Sequence, residues 1–416
     1  MKKKFSLLLI FLALAGAVYF LLFHKNKELK YIPENADMAL LVDVKNVSRH
    51  YLHQFLLHPS EWLGEKKDKS EKIKLKDSGI KIPDFLQIFH LKNSAITDWY
   101  CVIELSDKNL FLHFLKQEKF SKQGKDIFAK NNISIKIIDE KCLVKTGKIS
   151  GVSAFQKLTS QMLSGNPKPI FNASELSRYS HGSFVIFHPE KVSIFPVKIG
   201  ESEITIHSEN FKENFGALIS QLEKRNRFFE LQFDEENIKK IAPFFHNENW
   251  DSLSLSSLNI TSKIKEVRDT IITYEYDDNY NEVEKISYQN IIQPKYSILL
   301  KSSNPEKTMD YFYQKKWIGK KGEFTKIPFQ PNTISESGNQ ISITSKNNYI
   351  EKFLPEKNSF LFLKNDNKLM NSFSTITPSE KEKLSRFLYL FYGNNGDECF
   401  VKIQFKKEEL PLILGF

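Results

Sequence analysis

Short apolar strands, each followed by a polar turn and an amphipathic helix, recur along the chain. The first strand covers residues 38–44, and the apolar positions after it, beginning with Val47 and Tyr51, repeat at helical spacing. The same order of strand, turn and helix begins again at residues 99–105 and at residues 296–300. This recurring unit predicts a fold that contains both helices and strands.

Alternating apolar and polar positions on either side of short polar turns predict β-hairpins between these units. One hairpin runs through residues 133–138 and 142–145, and another through residues 270–276 and 283–288. Antiparallel hairpins interspersed with amphipathic helices indicate an α+β fold, in which each antiparallel sheet carries its helices on one face.

A further helix is predicted late in the chain. Thr377, Pro378 and Glu380 match an N-cap, a first-turn proline and the acid of a capping box. Apolar residues spaced from Leu384 to Phe391 then form one helical face. We expect this helix to end after Phe391 and to pack on the core.

The units recur in the same order in two parts of the chain. Residues 98–120 align without a gap with residues 295–317, and residues 183–187 resemble residues 359–363. Self-similarity in a fixed order is what an internal duplication leaves behind. We therefore predict an N-terminal membrane anchor or signal segment over residues 1–30, a first α+β half over residues 31–223 and a second, related half over residues 224–416.

The N-terminal segment is the strongest single signal in the sequence. It begins at Phe5, ends at Phe23 and contains no charged residue, and three lysines precede it. A helix of this length is about 28 Å long, close to the roughly 30 Å of a bilayer's hydrocarbon core. The sequence therefore predicts one transmembrane helix and a membrane partner for residues 5–23.

A retained helix predicts a single-pass protein of the bacterial inner membrane, with its C-terminal body in the periplasm. The alternative is secretion after signal cleavage, because Ala13-Leu14-Ala15 fits a small-x-small cleavage site. Retention is favoured because cleavage there leaves the apolar residues 18–23 near the new terminus. A lipid anchor is not expected, since the first cysteine is Cys101.

The net charge of +10 does not indicate a nucleic-acid partner. Six lysines and one glutamate lie within the first 30 residues, which leaves 54 basic and 49 acidic residues in the body of the chain. The lysine-rich run at residues 65–76 also alternates with acidic residues, as a solvated surface does. A phosphate-binding surface would be basic without interruption. We therefore expect no nucleic-acid binding.

Candidate chemistry is sparse. His50, His53 and His58 have a spacing that could bring two imidazoles to one metal, but no H-E-x-x-H motif is present, so packing or surface roles are favoured. The acidic pair at residues 277–278 is explained by a hairpin turn better than by a calcium loop. A disulfide between Cys101 and Cys142 is left open. No catalytic, cofactor-binding or metal residue is predicted, and no cofactor.

One phrase resembles a known group of proteins. Ile32-Pro33-Glu34-Asn35-Ala36-Asp37, directly before the first strand, is similar to the phrase that follows the export segment in uncharacterised bacterial envelope proteins of the DUF3352 and DUF4836 type. The resemblance implies an envelope location and carries no activity, because none is established for that group.

The function that the sequence indicates is that of a non-catalytic, membrane-anchored envelope protein, which binds or scaffolds an envelope protein partner. Two alternatives remain open. The 35 phenylalanines and the two halves are also compatible with a carrier or sensor of an apolar ligand, held in a cleft between the halves. A hydrolase without a familiar motif is the second alternative, and it needs a nucleophile within hydrogen-bond reach of a base.

Overall fold

The structure is a computed structural model of the 416-residue chain. It describes residues 23–25, 29–58, 77–147, 155, 159, 181–188, 190–208, 211–212, 214–241, 253–320, 322–327, 332–345, 353, 358–372, 378–396, 398–408 and 411–414. The lysine-rich run at residues 65–76 lies outside these ranges.

The predicted α+β class is wrong, because antiparallel sheet dominates the structure. Strand makes up 51% of the structure and helix 22%, and the described strand pairs within each unit are antiparallel. The described helices are short, with 14 residues in the longest. The helical repeats in the sequence therefore correspond to short helices, and antiparallel sheets form most of the structure.

Two compact units divide the chain. Unit 1 comprises residues 1–209 and 407–416, and unit 2 comprises residues 210–406. The unit boundary thus falls at residue 209, against the predicted 223, and the last ten residues return to unit 1.

Unit 1 contains one antiparallel sheet, with strands in the order β10-β9-β8-β1-β2-β3-β7-β6-β5-β4. Its elements are β1 (Ala36–Asp43), α1 (Val44–Leu57), β2 (Phe85–Leu91), β3 (Trp99–Glu104), α2 (Lys108–Gln117), β4 (Ser121–Gly124), β5 (Ile127–Lys130), β6 (Ile133–Ile138), β7 (Lys141–Thr146), β8 (Gly182–Phe187), β9 (Val192–Ile199), β10 (Glu203–His207) and a 3₁₀ turn (Leu412–Leu414). The predicted hairpin at residues 133–145 is confirmed by β6 and β7.

The sheet of unit 1 has an apolar cluster on each face. On one face, Phe89 and Leu143 are fully buried together with Leu29 from the segment before β1. On the other, α2 packs Phe111 and Leu115 against residues of β6 and β7. Because successive strand residues point to opposite faces, both faces draw on the same strands.

Unit 2 also contains one antiparallel sheet, in the order β18-β17-β16-β11-β12-β13-β15-β14. Its elements are α3 (Gly216–Lys224), β11 (Phe229–Asp234), α4 (Glu235–Ile241), β12 (Leu255–Tyr276), β13 (Glu282–Ser302), α5 (Pro305–Gln314), β14 (Asn332–Ser337), β15 (Gln340–Ser345), β16 (Ser359–Lys364), α6 (Asn367–Ser372), α7 (Pro378–Ser385), β17 (Phe387–Asn395) and β18 (Glu398–Phe405).

Helices cover both faces of this sheet, which also corrects the prediction that they lie on one. Phe362 of β16 packs in a cluster with Leu222 of α3. The preceding residue, Leu361, packs against the cluster that contains Phe312 of α5. Since neighbouring residues of a strand point to opposite faces, α3 and α5 lie on opposite sides of the sheet.

The two units share one strand order. Strands β11, β12 and β13 take the places of β1, β2 and β3, β14 and β15 those of β6 and β7, and β16, β17 and β18 those of β8, β9 and β10. The first strand of each unit also ends in an aspartate, Asp43 or Asp234, which accepts a 2.8 Å hydrogen bond from a backbone N–H three residues later. An internal duplication would produce this correspondence, and the duplication stays a prediction.

The predicted single-pass anchor and inner-membrane location are contradicted. In the part of the chain that the structure describes, no helix is long and apolar enough to cross a membrane. The longest, α1, has 14 residues and is therefore about 21 Å long, well below a hydrocarbon core of roughly 30 Å. Of the segment that prompted the prediction, residues 5–22 lie outside the described residues.

The late helix is shorter than predicted. Helix α7 ends at Ser385, and strand β17 begins at Phe387. Tyr389 and Phe391 are buried on one face of β17, which pairs with β16 on one side and β18 on the other. The apolar residues fit a two-residue repeat as well as a helical one, and pairing on both edges decides for the strand. The predicted N-cap, Thr377, lies outside the described residues.

Candidate functional site

The hairpin formed by β12 and β13 extends far beyond the sheet of unit 2. Near its base, β12 pairs with β11 through residues 257–262, and β13 pairs with β15 through residues 297–301. Further out, among the described residues, the two strands pair with each other alone as far as Tyr276 and Glu282. We call residues 263–295 the arm, which at about 3.3 Å per residue is roughly 45 Å long.

The tip of the arm is a turn organised by Asp277. Its side chain accepts hydrogen bonds from the backbone N–H of Asn279 at 2.9 Å and of Asn281 at 2.8 Å, and from the Asn281 side-chain amide at 3.1 Å. Tyr280 adopts a left-handed conformation, with φ of 59°. Both carboxylate oxygens of Asp277 are therefore engaged in the turn, which agrees with the hairpin interpretation and leaves no basis for a calcium loop.

One face of the arm is apolar and exposed. Because Ile272 lies opposite Ile286 in the register, every second residue around this pair shares its face. Five large side chains on this face are at least half exposed: Ile272 at 50%, Tyr274 at 63%, Tyr276 at 72%, Ile286 at 53% and Tyr288 at 58%. We call these five residues the apolar face of the arm.

Charges on the same face are arranged by position along the arm. Glu282 and Glu284 lie toward the tip, opposite Tyr276 and Tyr274. Arg268 lies toward the base, with its guanidinium carbon 4.0 Å from the centroid of the Tyr288 ring. The face is thus acidic at its outer end and carries Arg268 toward its base. Glu266, which lies on the same face two residues further in, pairs with Lys368 of α6 at 3.3 Å.

The opposite face of the arm is more polar. It carries an ion pair between Lys285 and Glu275, with a nitrogen–oxygen distance of 2.7 Å. Val283 also lies on this face and is 47% exposed. The exposed aromatic side chains therefore distinguish one face of the arm from the other.

The corresponding hairpin of unit 1 has no such extension. There β2 ends at Leu91 and β3 begins at Trp99, so a short connection joins the two strands at the level of the sheet. The arm is therefore an addition to the shared strand order. Sequence reasoning predicted its outer part as a hairpin but missed its length, for which the signal was strand-like sequence without glycine from residue 255 to residue 302.

A serine, a histidine and an aspartate come together in unit 1, and the sequence had not indicated them. The Nδ1 atom of His90 lies 2.6 Å from Asp37, and its Nε2 atom lies 3.1 Å from the Ser94 hydroxyl. However, Nε2 also faces the Ala95 carbonyl at 3.0 Å, and the Ser94 hydroxyl donates to the Leu91 carbonyl at 2.7 Å. The Ser94 hydroxyl proton is therefore directed at the Leu91 carbonyl and away from His90. The arrangement stabilises the β2–β3 turn.

The histidines that were considered as ligands are dispersed. The His50 ring lies against the His181 ring, with centroids 4.6 Å apart and planes tilted by 60°, and burial lowers the pKa of both rings. His53 is exposed on α1, and His58 follows the end of that helix. No group of three or more histidine, cysteine, aspartate or glutamate side chains with metal-binding geometry occurs among the described residues.

The cysteines are free thiols. Cys101 and Cys142 lie on the neighbouring strands β3 and β7, where Cys142 is opposite Ile103 rather than opposite Cys101. Diagonal neighbours of this kind are too far apart for a disulfide without a backbone shift. Burial raises the pKa of each thiol to about 12, and that of Cys399 to about 11.

Both units have clefts among the described residues, and the linings mix polar with apolar residues. The cleft of unit 1 has a volume of about 210 Å³. Within it, Glu104 accepts hydrogen bonds from Tyr31 and from Lys81, the latter at 2.7 Å. The cleft of unit 2 has a volume of about 430 Å³, and Asp234 and Lys301 line it. Charged side chains lie among the apolar residues of each lining, whereas a site for an apolar ligand is predominantly hydrophobic.

Comparison with known proteins adds no relative to this description. No protein-family model, curated protein or solved structure matches the chain. The functional argument therefore rests on the chain's own geometry.

Proposed function

We propose that this chain is a non-catalytic binding protein, and that the arm is the element with which it docks. The observation that carries the proposal is the apolar face of the arm, on which three tyrosines and two isoleucines are at least half exposed. Contiguous exposed apolar side chains of this kind are typical of interaction sites.

The energetics of the arm support a role in binding. Ordering each residue of a chain costs about 1–2 kcal/mol of conformational entropy, which burial normally offsets. Beyond Thr270 and as far as Tyr288, most side chains of the arm are exposed, so burial within the described chain recovers little of this cost. An isolated two-stranded hairpin is marginally stable for the same reason. A partner that covers the apolar face supplies the missing burial.

The two edges of the arm are less suited to binding than its apolar face. Beyond the sheet, each strand of the arm pairs with the other strand alone, and charged side chains such as Lys285 and Glu275 discourage the addition of a further strand. The face, rather than the edge, is therefore the surface through which we expect the arm to bind.

The two alternative functions gain no support from specific contacts. A hydrolase needs a base that accepts a proton from its nucleophile, and the Ser94 hydroxyl donates instead to the Leu91 carbonyl. A carrier of apolar molecules needs an apolar cavity, and the clefts within the two units hold charged side chains such as Glu104 and Asp234 among their lining residues.

Site-specific photocrosslinking tests the proposal. A photoreactive phenylalanine analogue replaces Tyr274 on the apolar face or, as a matched control, Thr273 on the opposite face of the same strand. In cells that produce the full-length chain, we expect a discrete crosslinked protein from position 274 and at least about tenfold less of it from position 273, because side chains alternate between the faces. Equal yields from both positions, or no adduct from either, would refute a binding role for the apolar face.

A further inference from the structure

We propose that the arm's partner is a second copy of this chain, which packs its own apolar face against the first in a two-fold dimer centred on Ile272 and Ile286. This inference rests on the proposed function of the arm and names its partner.

The area of the face is sufficient for a specific contact. Three tyrosines and two isoleucines that are half to three-quarters exposed present roughly 500 Å² in all, given about 150–250 Å² for a whole aromatic side chain. Two such faces bury roughly 1,000 Å² together, which is the lower limit for a specific interface. The expected dimer is therefore a weak one, with dissociation in the micromolar range.

The order of residues along the face is self-complementary. A two-fold axis that lies in the interface and crosses the strands at Ile272 reverses the direction of the second arm. Tyr276 then lies over Arg268 of the partner subunit, and Glu284 lies over Tyr288 of the partner subunit. An arginine over an aromatic ring and a carboxylate beside a phenol are both favourable contacts.

The charges favour this antiparallel arrangement over a parallel one. In the antiparallel arrangement, Glu282 at the tip approaches Arg268 of the partner subunit, so each acidic tip meets an arginine. A parallel arrangement would bring the acidic tips together, with Glu282 and Glu284 of both copies at one level, and like charges would repel. A surface with two glutamates toward its tip and Arg268 toward its base, around an apolar centre, fits its own reversed copy.

Sedimentation velocity of the purified full-length chain tests the dimer. Between about 1 and 100 μM we expect a concentration-dependent shift from monomer to dimer, as the interface area predicts. Ile272→Lys should abolish the shift, because it places two ammonium groups at the centre of the interface. The control Thr273→Lys adds the same charge to the opposite face and should leave the shift unchanged.

Three outcomes of that experiment overturn the inference. They are a monomer at every concentration, a dimer that persists in Ile272→Lys, and a dimer that Thr273→Lys disrupts equally. Circular dichroism of each variant verifies that the exposed substitutions leave the fold intact.

Charge reversal tests the direction of packing. Arg268→Glu and Glu282→Arg should each raise the dimer's dissociation constant about five- to tenfold, because each brings like charges together across the interface. The double variant restores opposite charges and should return to within about threefold of the original constant. Additive losses in the double variant would rule out the antiparallel register.

The photocrosslinking experiment separates this inference from the proposed function. An adduct from position 274 with the mass of two copies of the chain supports both. An adduct with a different protein, together with a monomer in sedimentation, overturns the homodimer and leaves the binding function standing. The absence of any adduct overturns both.

Discussion

Arg268 lies over the ring of Tyr288, with 4.0 Å between the guanidinium carbon and the ring centroid. The two residues belong to opposite strands of the arm and are diagonal neighbours on its apolar face. A cation–π contact at an exposed site contributes about 0.5–1 kcal/mol. This contact therefore holds the inner half of the arm in register.

Replacement of Arg268 should loosen the arm and leave the rest of unit 2 unchanged. In Arg268→Ala, amide hydrogen exchange within the arm should accelerate about two- to fivefold, which corresponds to the loss of a contact of about 0.5–1 kcal/mol. Mass spectrometry of dilute, monomeric protein measures this exchange. Ser287→Ala, on the opposite face of β13, should leave it unchanged, and acceleration in the sheet strands β11 and β16 would contradict a local role.

The turn at Asp277 should depend on pH. Hydrogen bonds from Asn281, followed by one from Asn279, hold the pKa of this carboxyl below its ordinary value of 3.8. A carboxyl with a lowered pKa stabilises the turn fully above its ordinary value, and this stabilisation is lost as the pH falls through the lowered pKa.

Nuclear magnetic resonance measures this pH dependence. The Asn279 and Asn281 amide signals should keep their positions from neutral pH to about pH 4 and move below it, as the Asp277 carboxylate takes up a proton. In Asp277→Ala the two signals should sit at their displaced positions at every pH. Asp278→Asn serves as the control, and movement of the signals near pH 6 would contradict the assignment.

Asn237 joins three elements of unit 2 and should be important for its stability. Its side-chain amide donates to Asp234 at 2.9 Å and to Asn394 at 3.0 Å, and its carbonyl accepts from the Tyr392 hydroxyl at 3.1 Å. The residue is 1% exposed, so water cannot replace these partners. Removal of one partner from a buried hydrogen-bonded group costs about 1–3 kcal/mol.

We therefore expect Asn237→Ala to lower the free energy of unfolding by about 2–4 kcal/mol, since one buried group loses several partners. Chemical denaturation measures this change. Lys239→Ala, on the exposed side of the same helix, removes an ion pair with Glu235 and should cost about 0.5 kcal/mol or less. Equal losses in the two variants would show that the helix, and not the buried network, is what matters.

The three cysteines should resist thiol reagents in the native chain. The thiolate is the reactive form, and burial raises the pKa of Cys101 and Cys142 to about 12. At pH 8 we expect all three thiols to react at least ~100-fold more slowly than in guanidinium, where the pKa returns to about 8.5. A colorimetric disulfide reagent measures both rates, and fast labelling of either buried thiol in the native chain would contradict its position in the sheet.

Local sequence accounts for much of the secondary structure. The strand at Ala36–Asp43 and the helix that follows it were visible as changes in apolar periodicity, and the hairpin at residues 133–146 was visible as alternation around a polar turn. These features depend on contacts between near neighbours, which the order of residues determines. The polar turn at Asp277 belongs to the same class.

Contacts between distant residues decided the remainder. His90 and Asp37 are 53 residues apart in the chain, and their hydrogen bond appears because β1 and β2 pair. Phe391 could belong to a helix or a strand by its spacing, and only pairing with β16 and β18 selected the strand. The helices were predicted on one face because periodicity shows which side of a helix is apolar but not which face of a sheet it covers.

In the arm, one feature follows from the local sequence and another from contacts between distant residues. The sequence by itself determined that residues around 270–288 alternate about an Asp- and Asn-rich turn, because that pattern is local. Only the tertiary structure decided that β11 and β15 stop pairing at Ser262 and Ser297, which leaves Tyr274, Tyr276 and Tyr288 in solvent. Whether an alternating strand is buried depends on the length of its neighbours, and that length is a property of the assembled sheet.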